Sequence, residues 1–337
     1  MIEPVLRGAG AQVRPFLRVA AVSPRSCSLP LQRAMTDFGA DHAFGQVPKK
    51  LQEHYGIRIA VSTVRKVTEG HGAYMREQQE RVAWPVSTPG CAQQIGELDG
   101  SMVPIVTPDT AVKDKRQQKT LHWQEARLAL VHAHGSVTPK FAATFGDSVN
   151  ASGEALRACA VAAGGGTNTQ VHGVGDGAPW IAEQFVTAFG PQARYLVDFY
   201  HVCDYLAAAA PFCAPDAPHT WLDTQKQYLK KNAVAEVLNQ LSPAVEGEAV
   251  DNEHAPVRAC LRYLSNRLSH LDDKGALEKE LPIGSGEIES AHRYVIQERL
   301  KVPGAWWHAD NVAPMLALRV VRANGDWDQY WEQLAAA

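Results

Sequence analysis

The order of strands and helices after residue 92 is the property of this sequence that most limits its possible folds. Stretches rich in β-branched residues or alternating in polarity predict five strands, and the longer apolar periods between them predict helices. The predicted strands are 95–106, 121–134, 141–145, 170–175 and 194–199, and the predicted helices between them are 152–163 and 179–189. Three consecutive strands, followed by helix, strand, helix and strand, indicate a mixed α/β sheet with flanking helices.

The remainder of the chain divides around this sheet. A segment rich in Pro, Gly and Ser, residues 84–92, predicts a domain boundary. Before it we expect a small helical domain at 29–83, and we assign no structure to 1–28. After it we expect a catalytic domain at 93–337, interrupted by an all-helical insertion at about 205–280.

The residues at 29–83 favour a helix-turn-helix domain that binds DNA. Pro48 suits the first turn of a helix that ends at Tyr55, and Gly56 suits the position just after it. A second helix, capped by Ser62 and ending near Gly70-His71-Gly72, exposes basic side chains at 65 and 66. An ordinary helical hairpin with a solvated basic face explains the same pattern.

Composition excludes several classes of protein. The chain has 337 residues and six cysteines, none spaced as C-x-x-C, so a disulfide framework and a zinc ribbon are not expected. It lacks an apolar run of roughly 18 to 20 residues and a secretory leader, which predicts a cytoplasmic protein. Residues 1–90 hold 12 Lys and Arg against 7 Asp and Glu, whereas the remainder holds 21 against 29. This distribution is compatible with a basic DNA-reading module on an acidic body.

Acidic residues lie at positions that suit metal binding. Asp99 and Asp176 lie at or near predicted strand ends, and each precedes a glycine. Carboxylates on neighbouring strands can share Mg²⁺, although Asp-Gly is also a common turn dipeptide. The helix that follows Gly284-Ser285-Gly286 contributes Glu287 and Glu289 in its first turn, where acids also interact favourably with the helix dipole.

Several motifs occur together in an informative order. They are Leu98-Asp99-Gly100, Gly175-Asp176-Gly177-Ala178-Pro179-Trp180-Ile181, Asp198-Phe199-Tyr200-His201-Val202, Gly284-Ser285-Gly286-Glu287-Ile288-Glu289-Ser290 and Arg299-Leu300-Lys301-Val302-Pro303-Gly304-Ala305-Trp306-Trp307. From about residue 95 to the C-terminus, the chain resembles bacterial insertion-sequence DDE transposases of the Kra-type group, which is related to the Mutator-like clan. The resemblance implies an RNase H-like fold with an all-helical insertion before the glutamate.

The resemblance also implies an activity and a site. Asp99, Asp176 and Glu289 resemble the three catalytic, metal-binding acids, with Glu287 as the alternative to Glu289. Asp198 and His201 resemble the clan's C/D-x-x-H signature, which gives His201 a place near the metal site. The implied cofactor is Mg²⁺ or Mn²⁺. Two such ions would assist cleavage of transposon-end DNA and joining of its 3′-hydroxyl to target DNA.

The expected partner is double-stranded DNA, both transposon ends and target, with a homo-oligomer holding the ends and no membrane involvement. This implies a bacterial cytoplasmic protein associated with the nucleoid. The side chains expected to bind DNA are basic and are Arg65, Lys66, Lys115, Arg116, Arg293, Arg299 and Lys301.

Members of the group usually have a longer N-terminal region, sometimes with paired cysteines. Only Cys27 precedes the helix-turn-helix here, so no zinc element is expected. A transposase-derived DNA-binding protein that no longer cleaves, and a nuclease of RNase H-like fold that does not transpose, remain alternatives.

Overall fold

A computed structural model describes residues 6–8, 11–13, 27–79, 83–108 and 119–336. The strands are β1 (Leu6–Gly8), β2 (Ala11–Val13), β3 (Gln93–Pro108), β4 (Lys119–Ala133), β5 (Lys140–Phe145), β6 (Gln170–Gly175) and β7 (Ala193–Val197). The α-helices are α1 (Leu29–Asp41), α2 (Val47–Tyr55), α3 (Val61–Glu77), α4 (Val149–Ala162), α5 (Pro179–Phe189), α6 (Phe199–Cys213), α7 (Pro218–Leu229), α8 (Val234–Leu241), α9 (Pro256–Ser265), α10 (Asp273–Glu278), α11 (Gly286–Ala291), α12 (Glu298–Leu300), α13 (Ala309–Ala323) and α14 (Trp327–Ala336). A π-helical segment, His292–Gln297, separates α11 from α12.

The chain forms two compact units. One comprises 1–79, 104–123 and 294–337, and the other comprises 80–103 and 124–293. This division differs from the predicted one, in which 93–337 formed a single domain after 29–83. The start of the second unit near residue 80 lies close to the predicted linker, whereas the C-terminal helices group with the N-terminal ones. Packing between distant segments decides such a boundary, and local composition does not report it.

The second unit is built on a five-stranded mixed sheet of order β5-β4-β3-β6-β7. β3, β6 and β7 are parallel neighbours, whereas β4 and β5 pair antiparallel. All five strands occur where strands were predicted, so the predicted α/β class with flanking helices is confirmed. Helices α4 and α5 pack on each other, and their apolar side chains share a buried cluster with Leu98, Val131 and Val171 of the sheet. These two helices therefore cover one face of the sheet.

Residues 205–280, where an all-helical insertion was predicted, contain helices and turns and no strand. Their apolar side chains form a second buried cluster that includes Leu206 of α6, Leu229 of α7 and Leu264 of α9. The same cluster includes Val197, the last residue of β7. The helical insertion thus has its own core and continues from the end of a sheet strand.

In the first unit, α2 begins and ends as predicted. Pro48 lies in its first turn, and Gly56 follows it with a φ of 69° in the left-handed region that glycine adopts without strain. Helix α3 differs from the prediction, because it follows Ala60 and continues past Gly70 to Glu77. A Cβ on Gly72 would lie 2.5 Å from the carbonyl oxygen of Pro314 in α13. This glycine therefore permits close helix packing and does not terminate the helix.

Candidate active site

A small cleft in the second unit contains the residues on which the sequence-based hypothesis depends. Its lining comes from β3, from the loops after β6 and β7, and from the first turns of α6 and α11. The lining residues are Leu98, Asp99, Gly175, Asp176, Asp198, His201, Ser285, Ile288 and Glu289. Three acids proposed as metal ligands, Asp99, Asp176 and Glu289, therefore reach one place although they are far apart in the chain.

Strand register explains how the aspartates meet. In the parallel pair β3–β6, Glu97 lies opposite Val174, and the same register continued by two residues brings Asp99 level with Asp176. In the pair β6–β7, Gly175 lies opposite Val197, so the next residues, Asp176 and Asp198, are also level. Asp176 and Asp198 directly follow the carboxyl ends of β6 and β7, where ligand sites commonly form, whereas Asp99 lies within the longer strand β3. The sheet thus aligns three aspartates in one row.

Asp99 is held by its neighbours on one side and contacts a buried histidine on the other. Its Oδ1 accepts a hydrogen bond from the Gly100 N–H at 2.7 Å. Its Oδ2 lies 3.2 Å from Nε2 of His292, although these two atoms do not form a hydrogen bond. His292 is 3% exposed and is the first residue of the π-helical segment. Single π-turns inside helices are frequent at functional sites.

The same π-helical segment separates side chains that a regular helix would place together. A regular helix at 287–300 would place Glu289, His292 and Arg293 on one face. In the structure, Glu289 and Arg293 are exposed, whereas His292 is buried and directed to Asp99. The contact of His292 with Asp99 depends on the fold.

Asp198 accepts four hydrogen bonds and is 4% exposed. Its Oδ1 accepts from the main-chain N–H groups of Tyr200 and His201 at 2.6 and 3.1 Å, which caps α6. Its Oδ2 accepts from both the N–H and the hydroxyl of Ser285, each at 2.6 Å. Asp198 therefore joins the start of α6 to the turn from which α11, the helix of Glu289, begins.

Glu97 is a second buried carboxyl group at this point, and sequence reasoning missed it. It lies on β3 two residues before Asp99, is 1% exposed, and its Oε2 accepts from the Ile288 N–H at 2.7 Å. Burial raises the pKa of Glu97 to about 8, against the opposing effect of the Ile288 hydrogen bond. The sequence signal that could have identified Glu97 is an acidic residue at a strand position whose side chain points inward. Glu97 and Asp198 thus accept from two main-chain N–H groups at the start of α11, those of Ile288 and Ser285.

Glu289 and Glu287 occupy different surroundings. Glu289 lines the cleft. Glu287 has its Oε2 3.3 Å from Nε2 of His132 on β4. The geometry therefore places Glu289, rather than the alternative Glu287, with Asp99 and Asp176.

His201, on the first turn of α6, lines the cleft beside aromatic side chains of the insertion. Its ring centroid lies 5.6 Å from that of Tyr205 and 5.7 Å from that of Tyr263, both in edge-on orientation. Apolar rings on one side of the imidazole restrict its orientation. His201 thus lines the same cleft as Asp99, Asp176 and Glu289, and its place at a metal site and its chemical role stay predictions.

The basic side chains predicted to bind DNA differ in accessibility. Arg65 and Lys66 are exposed on α3, and Arg65 lies 3.6 Å from Glu69. Arg293 is also exposed, and burial lowers the pKa of Lys301, which is half-buried. Two further predicted DNA contacts, Lys115 and Arg116, lie outside the described residues.

Arg299 corrects the prediction. It is 2% exposed, and its Nε donates to the carbonyl oxygen of Gly39 at 2.9 Å. Its guanidinium carbon lies 4.8 Å from the ring centroid of Phe44 and 4.7 Å from that of Trp307. Burial lowers the pKa of Arg299 to about 10. A side chain enclosed in this way packs the core of the first unit and cannot reach a DNA phosphate.

Comparison with known proteins adds one family. Residues 166–332 match the model of an uncharacterised protein family, UPF0236. The segment that matches UPF0236 includes Asp176, Asp198 and Glu289, and it begins after Asp99. The family's description gives no activity, so the UPF0236 match assigns none to this chain. No curated protein matches the chain.

Two further observations concern metal clusters and membrane-spanning helices. Among the described residues, no three His, Cys, Asp or Glu side chains cluster closely enough to hold a metal ion by themselves. In the same ranges, no helix combines the length and the apolar character needed to cross a bilayer.

Proposed function

We propose that this chain is a DNA transposase of the DDE type, which cleaves transposon-end DNA and transfers its 3′-hydroxyl into target DNA. The observation that carries the proposal is the arrival of Asp99, Asp176 and Glu289 in one cleft. The sheet order, with the first predicted strand of the domain central and the third at one edge, supports an RNase H-like fold. The UPF0236 match neither names nor excludes this activity.

The donor set suits a hard divalent cation. All three acids supply carboxylate oxygens, which Mg²⁺ and Mn²⁺ prefer over nitrogen or sulfur. Asp99 and Asp176 each use Oδ1 to accept a main-chain hydrogen bond, which orients the other oxygen. Mg²⁺ sites in phosphoryl-transfer proteins typically use one or two carboxylates together with substrate phosphates, and they do not need an all-protein cage. The lack of a closed cluster among the described residues is consistent with such an open site.

The reaction consists of two in-line displacements at phosphorus. In the first, a water oxygen attacks the phosphate at the transposon end, the bond to the 3′-oxygen breaks, and a 3′-hydroxyl and a 5′-phosphate result. In the second, that 3′-oxygen attacks a target phosphodiester, and a target 3′-hydroxyl leaves. When bound, Mg²⁺ or Mn²⁺ would favour the deprotonated nucleophile and offset the charge on the leaving oxygen.

The chain's own contribution is to hold the carboxylates in place. Asp99 and Asp176 stand at the same level on adjacent parallel strands. Glu289 is positioned by α11, whose first turn is bonded to Glu97 and Asp198. Rigid placement of this kind matters because small misplacements of reacting groups cost large factors in rate.

DNA recognition is assigned to exposed basic side chains. Arg65 and Lys66 lie on the second helix of the proposed helix-turn-helix, and Arg293 follows Glu289 closely in sequence. Phosphate contacts of this kind provide affinity and depend steeply on salt. Two DNA ends have to be held together during transposition, so we also propose that the protein acts as a homo-oligomer on DNA.

The test compares Glu289→Gln with the matched variant Glu287→Gln from the same helical turn. Substrates are supercoiled plasmid and linear fragments from the DNA that flanks the coding sequence, with Mg²⁺ or Mn²⁺. We expect wild type and Glu287→Gln to cleave and join, and Glu289→Gln to lose about a thousandfold or more in cleavage rate. Circular dichroism verifies that both variants fold.

Other outcomes discriminate the alternatives. Binding of the flanking DNA without cleavage by the wild type would support a DNA-binding protein that no longer cuts. Cleavage of any DNA without joined products would support a nuclease. Equal activity of Glu289→Gln and wild type would reject the proposed site.

A further inference from the structure

The short loop after β6, residues 176–178 (the Asp176 loop), is held by three side chains from other elements. The Gly177 N–H donates to Oη of Tyr195 on β7 at 3.0 Å. The Gly177 carbonyl oxygen accepts from Nε of Arg267 at 2.7 Å, and the Asp176 carbonyl oxygen accepts from the hydroxyl of Tyr263. Two of these three side chains belong to the helical insertion, far along the chain.

The two insertion side chains are themselves fixed. The guanidinium carbon of Arg267 lies 3.9 Å from the ring centroid of Tyr263, and Arg267 Nη1 donates to the Tyr263 carbonyl oxygen at 3.0 Å. On the ring of Tyr263, Tyr205 stacks with a centroid distance of 4.2 Å. Tyr263 is 6% exposed. Its hydroxyl group is therefore held at one position relative to the loop.

The loop leaves no space for a side chain at Gly177. Gly177 has a φ of 80°, and a Cβ there would lie 2.6 Å from Nε of Arg267 and 2.7 Å from the Tyr263 hydroxyl oxygen. Within the loop, Oδ1 of Asp176 accepts from the Ala178 N–H at 2.8 Å. The main-chain position therefore determines where the second oxygen of Asp176 lies in the cleft.

We infer that the helical insertion positions the second catalytic aspartate: Tyr263 and Arg267 hold the Asp176 loop in the conformation that directs its carboxylate into the cleft. This inference rests on the proposed function for the meaning of that carboxylate. Tyr263 and Arg267 are positioning residues, because their contacts are to the main chain of the loop. The insertion is thus part of the active-site architecture as well as an independently packed bundle.

The experiment compares Tyr263→Phe with Tyr205→Phe. Both variants remove one hydroxyl group from the same aromatic stack, but only the Tyr263 hydroxyl bonds to the loop. In wild-type protein without DNA, the amides of 175–181 are followed by hydrogen exchange. We expect faster exchange in Tyr263→Phe and wild-type exchange in Tyr205→Phe.

Cleavage kinetics provide the second measurement. We expect kcat of Tyr263→Phe to fall about tenfold with KM for DNA within about twofold, because only the alignment of the carboxylate changes. Tyr205→Phe should retain both constants. Wild-type exchange and wild-type kcat in Tyr263→Phe, or equal changes in the two variants, would overturn the inference.

The two proposals fail in different ways. A wild-type protein that cuts no DNA would overturn the proposed function, whereas faster exchange in Tyr263→Phe would still support the clamp on the loop. A second variant, Arg267→Gln, removes the bond to the Gly177 carbonyl oxygen and should increase exchange in the same amides. Unchanged exchange in this variant would count against the inference.

Discussion

Substitution of Gly177 by alanine should destabilise the protein more than the same change at Gly164. Both glycines have a φ of 80°, so both alanines take the left-handed backbone cost of about 1–2 kcal/mol. Each also gains roughly 0.4–1 kcal/mol from a less flexible unfolded chain. At Gly164 no heavy atom lies within 4 Å of the new Cβ, which leaves a net loss of about 1 kcal/mol.

At Gly177 a steric cost is added. The new Cβ would lie 2.6 Å from Arg267 Nε and 2.7 Å from the Tyr263 hydroxyl oxygen, so both side chains must move. Forced repacking of this kind costs typically about 1–3 kcal/mol, giving a total near 2–4 kcal/mol. The displaced groups are those that bond the Asp176 loop, so cleavage should fall as well.

The assay is urea denaturation of wild type, Gly177→Ala and Gly164→Ala, followed by far-ultraviolet circular dichroism and combined with DNA cleavage at a temperature where all three are folded. Gly164→Ala is the matched control, because it carries the same backbone strain without the contacts. Equal losses of unfolding free energy in the two variants, or full cleavage activity in Gly177→Ala, would refute the reasoning.

Two further predictions concern charge. Lys66→Ala should reduce the salt dependence of DNA binding by about one phosphate contact, with little change in the free energy of unfolding. Arg299→Lys should instead lower the free energy of unfolding by roughly 2 kcal/mol and leave the salt dependence unchanged. DNA titrations at several salt concentrations and urea denaturation test this pair. Burial lowers the pKa of His71 to about 4, and its ring nitrogens contact Tyr330 Oη at 2.7 Å and Gln32 Oε1 at 3.0 Å. Because unfolded histidine binds a proton near pH 6.5, stability should fall as pH drops from about 6.5 to 4. His71→Gln should flatten that portion of the stability curve, and an unchanged slope would contradict the assignment.

Much of the fold could be predicted because its signals are local. Pro48 and Gly56 bound α2 through their own backbone preferences, and the strands occur where apolar periodicity predicted them. The candidate carboxylates could be predicted because Asp99 and Asp176 each precede a glycine in the α/β part of the chain. The order of the motifs also resembles that of DDE transposases. Their shared position in one cleft was likewise a prediction that the register of β3, β6 and β7 explains.

Other features could not be predicted, because they depend on which surfaces meet. Arg299 has the positive charge expected of a DNA contact, yet Gly39, Phe44 and Trp307 enclose it. Gly72 is a residue type that often ends helices, yet here it lies inside α3 and allows α13 to approach.

The amino-acid sequence by itself determined the order of strands and helices, the start and end of α2, and the identity of the two aspartates, Asp99 and Asp176, that line the cleft. Tertiary structure alone decided that Glu289 rather than Glu287 joins Asp99 and Asp176, that Glu97 and Asp198 secure the helix of Glu289, and that the insertion bonds the Asp176 loop. The physical reason is range. Backbone preference and periodicity act over a few residues, whereas burial and hydrogen bonding join groups that only the completed fold brings together.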